Sequence, residues 1–193
     1  PPEPMLPRPA YDEAIAAVLG YLAAGDCYQV NLTFPLAARL TGDPLALWER
    51  LRAAGPVGHG AYADLGLGPV VASLSPELFV RVEGGRIVAR PMKGTAPNDI
   101  GRLARVGSVR VPALFAIEPY ATVHQMTSTV TGDLAEPATL ARLFPALFPC
   151  GSVTGAPKIR AMQAIRELEP FARGVYCGAV GWMAPDGDCD WSV

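Results

Sequence analysis

The chain has 193 residues, of which half are hydrophobic and 18% are charged, with a formal net charge of -2. That length and apolar content suit one folded domain with a sizeable core and exclude a disordered chain. Lys and Arg are scattered without a basic run, which argues against a nucleic-acid or membrane surface. No apolar run reaches the ~18 residues of a membrane span, and with no signal peptide in view the cytoplasm is the expected location. Four widely spaced cysteines (Cys27, Cys150, Cys177, Cys189) form no CxxC or Cys/His cluster. They read as buried thiols of a reducing compartment rather than a zinc site or a disulfide scaffold.

In chain order, the proline-rich residues 1–10 read as a linker feeding a single domain over 11–193. Tyr11 to Ala24 reads as a helix with Ile15, Val18, Leu19 and Leu22 on one face and Gly25 as its stop. Cys27 to Thr33 alternates like a strand. Asp43-Pro44 opens a second helix, a capping side chain before a proline at the first helical position, running to about Gly55. Val70 to Ser73 and Leu78 to Val82 are candidate strands, and Gly84-Gly85 turns the chain into a further strand, Arg86 to Arg90. Val123 to Val130 is another strand, and Leu140 to Leu147 a short helix. Pro157 opens a strong helix whose stripe of Ile159, Met162, Ile165 and Leu168 is most simply core packing. Val175 to Met183 is β, followed by a turn at Pro185-Asp186-Gly187. Mixed helices and adjacent hairpins indicate an α+β fold rather than a parallel βαβ sheet.

Three segments could carry chemistry. The small-residue loop Gly151-Ser152-Val153-Thr154-Gly155-Ala156 runs into the helix at Pro157, whose N–H groups and positive dipole end suit an anion. Lys158 is unfavourable at that end of a helix dipole unless an anion is near, though a plain Gly-rich turn would also fit, and P-loop spacing is absent. Lys93 lies in Pro91-Met92-Lys93-Gly94-Thr95, directly after a predicted strand. A desolvated lysine there can act as a nucleophile, although a lone Lys is most often a solvated surface residue. Glu77, in Ser75-Pro76-Glu77, sits on the neighbouring strand of the same hairpin, where a proton donor could share a site with Lys93. His59 and His124 are the only histidines and have no second ligand at metal spacing. No Gly-x-Ser-x-Gly elbow supports a serine triad.

Taken in order, several stretches resemble the chorismate-binding enzymes: anthranilate synthase component I, aminodeoxychorismate synthase component I, and the isochorismate and salicylate synthases. They are Ala24 to Leu32, Ser75 to Phe79, the Lys93 block, 107–115, 123–132, 148–170, 173–182 and Asp190 to Val193. The resemblance implies two stacked, mainly antiparallel β-sheets flanked by helices. Two positions sort the branches. Isochorismate and salicylate synthases carry a basic lysine where this chain has Gln29, and anthranilate synthases carry Ala where it has Lys93. The pair therefore resembles the aminodeoxychorismate synthases, which aminate chorismate to 4-amino-4-deoxychorismate with ammonia from a glutamine amidotransferase subunit or domain.

By that resemblance Glu77 protonates the leaving ring hydroxyl while Lys93 adds covalently to the ring, and ammonia then expels Lys93. Lys93 must be partly neutral near about pH 7 for this, through desolvation or a nearby cation. Ser152, Gly155 and Ala156 would hold a substrate carboxylate, Thr95 and Tyr176 would line the pocket with Gln29, and Lys158 would help electrostatically. The family uses magnesium held by two glutamates. The resemblance implies that the segments bearing them are missing here, near 97–98 and after 193, so the metal ligands are unassigned. Gln125 stands where many relatives have a substrate-facing histidine, and His124, one place early on a strand, faces the other way. Anthranilate synthase, with Lys93 incidental, and a catalytically inactive chorismate-binding subunit are the alternatives.

Overall fold

The computed structural model describes residues 1–55, 57–92, 99–119 and 124–193. Lys93 and Thr95 lie outside the described residues, as does Val123, the first residue of one predicted strand. The described strands form one six-stranded and three two-stranded sheets, every pairing antiparallel, interspersed with helices. This is the α+β class read from the sequence. The chain divides into two compact units, one of residues 1–41 with 151–174 and one of residues 42–150 with 175–193.

In the first unit, β1 (Glu3–Pro4) pairs with β3 (Leu36–Ala37), and Leu6 behind it is buried. Helix α1 spans Arg8–Ala24 and begins a turn earlier than the periodicity suggested. A proline in the first helical turn gives up an N–H that would have no intrahelical partner anyway, so Pro9 does not block the start. The helix ends at Gly25, at φ 79°, whose N–H donates to the Leu22 carbonyl at 3.1 Å. Its buried side chains are Ala14 and Val18, while Leu19, assigned to the same face, is exposed.

β2 is only Gln29–Val30, shorter than the predicted strand, and pairs with β10 (Gly155–Ala156) with Ala156 opposite Gln29. The backbone beyond it finds other acceptors. Asn31 donates its N–H to the Thr154 carbonyl at 2.8 Å, and Thr33 donates its N–H to the Glu169 carboxylate at 3.0 Å.

The second unit holds helix α2 (Pro44–Ala54), whose cap Asp43 accepts the Leu45 N–H at 3.0 Å as its sequence promised. β4 (His59–Ala63) pairs with β5 (Val71–Ser75). β6 (Leu78–Glu83) turns at Gly84-Gly85, at φ 55° and 79°, into β7 (Arg86–Arg90). With β8 (Arg110–Pro119), β9 (His124–Asp133), β11 (Val180–Met183) and β12 (Cys189–Ser192), these two strands make the large sheet, in the order β11-β12-β6-β7-β9-β8. Helix α3 is Leu140–Leu147, and its buried Leu143 and Leu147 join Phe79, Val80, Val82, Ile87 and Val130 in the core of this unit. Phe144 stacks edge-on against Trp191 at 5.1 Å and against Phe79 at 6.0 Å.

Helix α4 (Lys158–Leu168) belongs to the first unit. The predicted stripe is corrected here. Ile159 is 70% and Met162 39% exposed, and the buried face is Ala161, Ala164 and Ile165. Small residues on that face let the helix approach β10 closely. No helix among the described residues is long and apolar enough to cross a membrane. The four cysteines form no disulfide; Cys27 and Cys189 are buried as expected, and Cys150 and Cys177 only half-buried.

Candidate active site

In the first unit the loop 151–157 carries three of the candidate site residues, Ser152, Gly155 and Ala156. It has little regular structure of its own, so its shape is set by what its carbonyls bond to. Tyr28 donates its N–H to the Ala156 carbonyl at 2.7 Å and Asn31 donates its own to that of Thr154. The Asn31 side chain donates from Nδ2 to the Ser152 carbonyl, with a longer approach of 3.5 Å to that of Gly151. Arg173 donates from Nη1 to the Val153 carbonyl at 2.6 Å. The loop is thus gripped along its carbonyl edge. In a trans peptide the N–H points opposite to the carbonyl, which turns the N–H groups of Val153 and Thr154 away from Asn31 and Arg173.

Gly155 is buried at φ 145°, and a Cβ there would stand 2.1 Å from the Gln29 carbonyl oxygen and 2.9 Å from the Ala161 Cβ. Only glycine fits. The same approach places Gln29 beside the loop, and its Nε2 is buried with no hydrogen-bond partner among the described residues. A buried amide donor without a partner costs free energy that an acceptor on a ligand would restore. The loop leads into α4, whose first turn has no side-chain cap and no acidic residue but contains Lys158. Gln29, Ser152, Gly155, Ala156 and Lys158 therefore belong to one compact unit around one helix N-terminus, an arrangement suited to an oxyanion.

The loop depends on two residues that sequence reading passed over. Glu169, with its side chain 2% exposed, pairs with Arg173, 14% exposed, at 2.7 Å. Arg173 spans both carboxylate oxygens, donating from Nε to Oε2 at 2.9 Å and from Nη2 to Oε1. Nη2 also donates to the Asn31 carbonyl at 2.8 Å. The sequence signal available was their spacing of four across Pro170, which alone reads as an ordinary surface pair.

Glu77 and Tyr176 belong to the second unit. Glu77 occupies the two-residue link between β5 and β6. Ser75 Oγ accepts the Glu77 N–H at 3.1 Å and donates to its carbonyl at 3.3 Å, and the Val193 N–H donates to the same carbonyl. The backbone is pinned, and the residue is 3% exposed. A carboxyl buried this far has left bulk water. Tyr176 is 53% exposed. Pro91, which follows β7 and leads toward Lys93, is buried and accepts the Ser128 N–H at 3.0 Å.

His124 is exposed on β9 opposite Pro119. His59 Nδ1 lies 3.9 Å from Asp190, which in turn pairs with Arg81. Burial lowers the His59 pKa below 6.5, Asp190 opposes the shift, and Arg81 and Arg90 reinforce it. No group of three His, Cys, Asp or Glu among the described residues could hold a metal ion.

The family model for chorismate binding enzymes matches residues 2–99 and 96–193. The aminodeoxychorismate synthase component 1 of Salmonella typhimurium is 39% identical over 219 aligned positions, covering 96% of this chain and 48% of that protein. The anthranilate synthase component 1 of Thermus thermophilus is also 39% identical, over 96% of this chain and 47% of its own length. Both alignments are longer than the 193 residues here, so these relatives carry positions that this chain lacks. The chain spans about half the length of these curated relatives. Among solved structures, anthranilate synthase component I from Streptococcus pneumoniae superposes with a TM-score of 0.91 at 29% identity, covering all of this chain and 50% of that one. A putative isochorismate synthase from Bacillus anthracis shares the fold with a TM-score of 0.81 at 19% identity, over all of this chain and 62% of its own.

Proposed function

The chain belongs to the chorismate binding enzyme family, and from that premise we propose that the full protein aminates chorismate to 4-amino-4-deoxychorismate, as aminodeoxychorismate synthase component 1. The observation that carries this reading is the pair Gln29 and Lys93 in a chain 39% identical to such a protein. The component naming of those relatives supports a separate glutamine amidotransferase that supplies ammonia, and the cytoplasm is the proposed location.

In this proposal Gln29, Ser152, Gly155 and Ala156 hold the substrate, with Thr95 and Tyr176 lining the pocket. The orphaned Gln29 amide supports a ligand acceptor beside the loop, and Lys158 adds positive charge at the helix end. Glu77 gives a proton to the ring hydroxyl, which departs as water while a C–N bond forms from the neutral Lys93 amine. Ammonia then attacks the carbon that lost the hydroxyl, the bond to Lys93 breaks, and its electron pair returns to the lysine nitrogen. One water leaves and one ammonia enters, and a proton from the new ammonium group restores the Glu77 carboxyl. Magnesium is proposed as the cofactor on the family resemblance, with its ligands unassigned, and no step above depends on it.

The test is the full-length protein incubated with chorismate and ammonium. Lys93→Ala is expected to lose formation of 4-amino-4-deoxychorismate, and Glu77→Gln to slow it by about 100-fold or more. Product made by Lys93→Ala at the parent rate would refute covalent catalysis by Lys93. Fluorescent anthranilate from the parent protein with no lyase added would assign the anthranilate synthase reaction instead.

A further inference from the structure

We infer that Arg173, held by Glu169, is the positioning residue of the 151–156 loop and sets the affinity of its ligand without taking part in the chemistry. This rests on the reading of the loop as the substrate cradle. Three features carry it. Arg173 bonds the Val153 carbonyl at 2.6 Å and the Asn31 carbonyl at 2.8 Å, so a single guanidinium joins the middle of the loop to the segment that follows β2. Asn31 itself holds the loop on either side of that point, through the Ser152 and Thr154 carbonyls. Glu169 is almost fully buried, and it fixes the guanidinium through both oxygens while accepting the Thr33 N–H at 3.0 Å.

The planar fork of arginine can satisfy two carbonyls and a bidentate carboxylate together. A lysine ammonium cannot reach all of them. With one of these bonds lost, the loop samples conformations in which Ser152 and Gly155 are displaced, and only the fraction in the correct shape binds ligand. The effect falls on affinity, because neither Arg173 nor Glu169 is assigned a contact with the reacting ring.

The experiment uses full-length protein with Arg173→Lys and Glu169→Gln. It measures chorismate affinity by calorimetry, kcat at saturation, and amide hydrogen exchange across 151–156. Glu169→Gln preserves an oxygen for the Thr33 N–H, so it carries the test if Arg173→Lys does not fold. Arg173→Lys is expected to weaken chorismate binding about tenfold and to leave kcat within about threefold. Exchange in the loop should quicken while that of Val80 and Val130 in the second unit's core stays unchanged. Glu169→Gln should shift affinity and exchange in the same direction by less. Parent affinity in a folded variant, or a fall in kcat at parent affinity, overturns the positioning role. A parent protein that binds no chorismate overturns the functional reading itself, and this inference with it.

Discussion

Gly155→Ala tests whether the close contact of β2 and β10 builds the candidate site. The alanine Cβ would stand 2.1 Å from the Gln29 carbonyl oxygen, a backbone atom that no side-chain rotation can move aside. Its φ of 145° is also one that L side chains rarely adopt, which adds about 1–3 kcal/mol of strain. Relief requires the two strands to part. That lengthens the bonds from Tyr28 to Ala156 and from Asn31 to Thr154, 2.7 and 2.8 Å in the parent, each contributing about 1 kcal/mol. The sum is about 3–5 kcal/mol. The control is Gly25→Ala, where φ is 79° but nothing lies within 4 Å of the new Cβ, so that strain alone applies, about 1 kcal/mol. Native-state hydrogen exchange of the Tyr28 and Asn31 amides reads the opening directly. If those amides stay as protected in Gly155→Ala as in the parent, the strands are not held as described.

Stability should depend on His59 in a defined sense. Its pKa is lowered below 6.5 in the folded chain, first by burial, so the unfolded chain binds more protons as the pH falls. The contribution is fully present above 6.5 and is lost as the pH drops through the folded value. Urea midpoints taken from about pH 8 to about pH 5 should fall, and His59→Gln should flatten that slope. An unchanged slope in the variant would dismiss His59 as its source. For the cysteines, a thiol reagent added to native protein should modify Cys150 and Cys177 before Cys27 and Cys189, which are 2% and 1% exposed. Burial also raises the Cys189 pKa. Mass spectrometry of labelled peptides checks the order, and early labelling of Cys27 or Cys189 would contradict their burial.

Elements bounded by strong local punctuation were legible in the sequence. Asp43-Pro44 started α2, Gly84-Gly85 turned β6 into β7, and Leu140–Leu147 is the helix its pattern indicated. Failures came where distant partners decide. The predicted strand from Cys27 to Thr33 shrank to two residues because Asn31 and Thr33 spend their N–H groups on Thr154 and Glu169. β8 was passed over because its ladder shifts register between Arg110 and Ala113 and again before Ala116, which breaks the alternation a regular strand shows. The α4 stripe misled because tight packing against β10 selects Ala161 and Ala164 over larger neighbours. The same logic hid Arg173 and Glu169, whose bonds to Asn31 and Thr33 span 142 and 136 positions of sequence.

That division bears on how reactions are distributed within the family. The loop's shape is held by main-chain carbonyls, a glycine that nothing can replace, and an arginine gripping the backbone. A cradle made from backbone depends on fold, and a shared fold is compatible with wide divergence of side chains, as the superposition at 29% identity illustrates. Identity across the whole chain therefore measures how well the cradle and core are kept, not what is done to the ligand. Two relatives with different named activities accordingly stand at the same 39%. In the proposed mechanism the reaction is selected by a nucleophile, and a nucleophile is one side chain. There Glu77 would deliver a proton in either reaction, while an amine at position 93 would occupy the ring and direct ammonia to the carbon that carried the hydroxyl. On that proposal a single residue outweighs the rest of the alignment, and Lys93 rather than overall similarity would decide between the two activities.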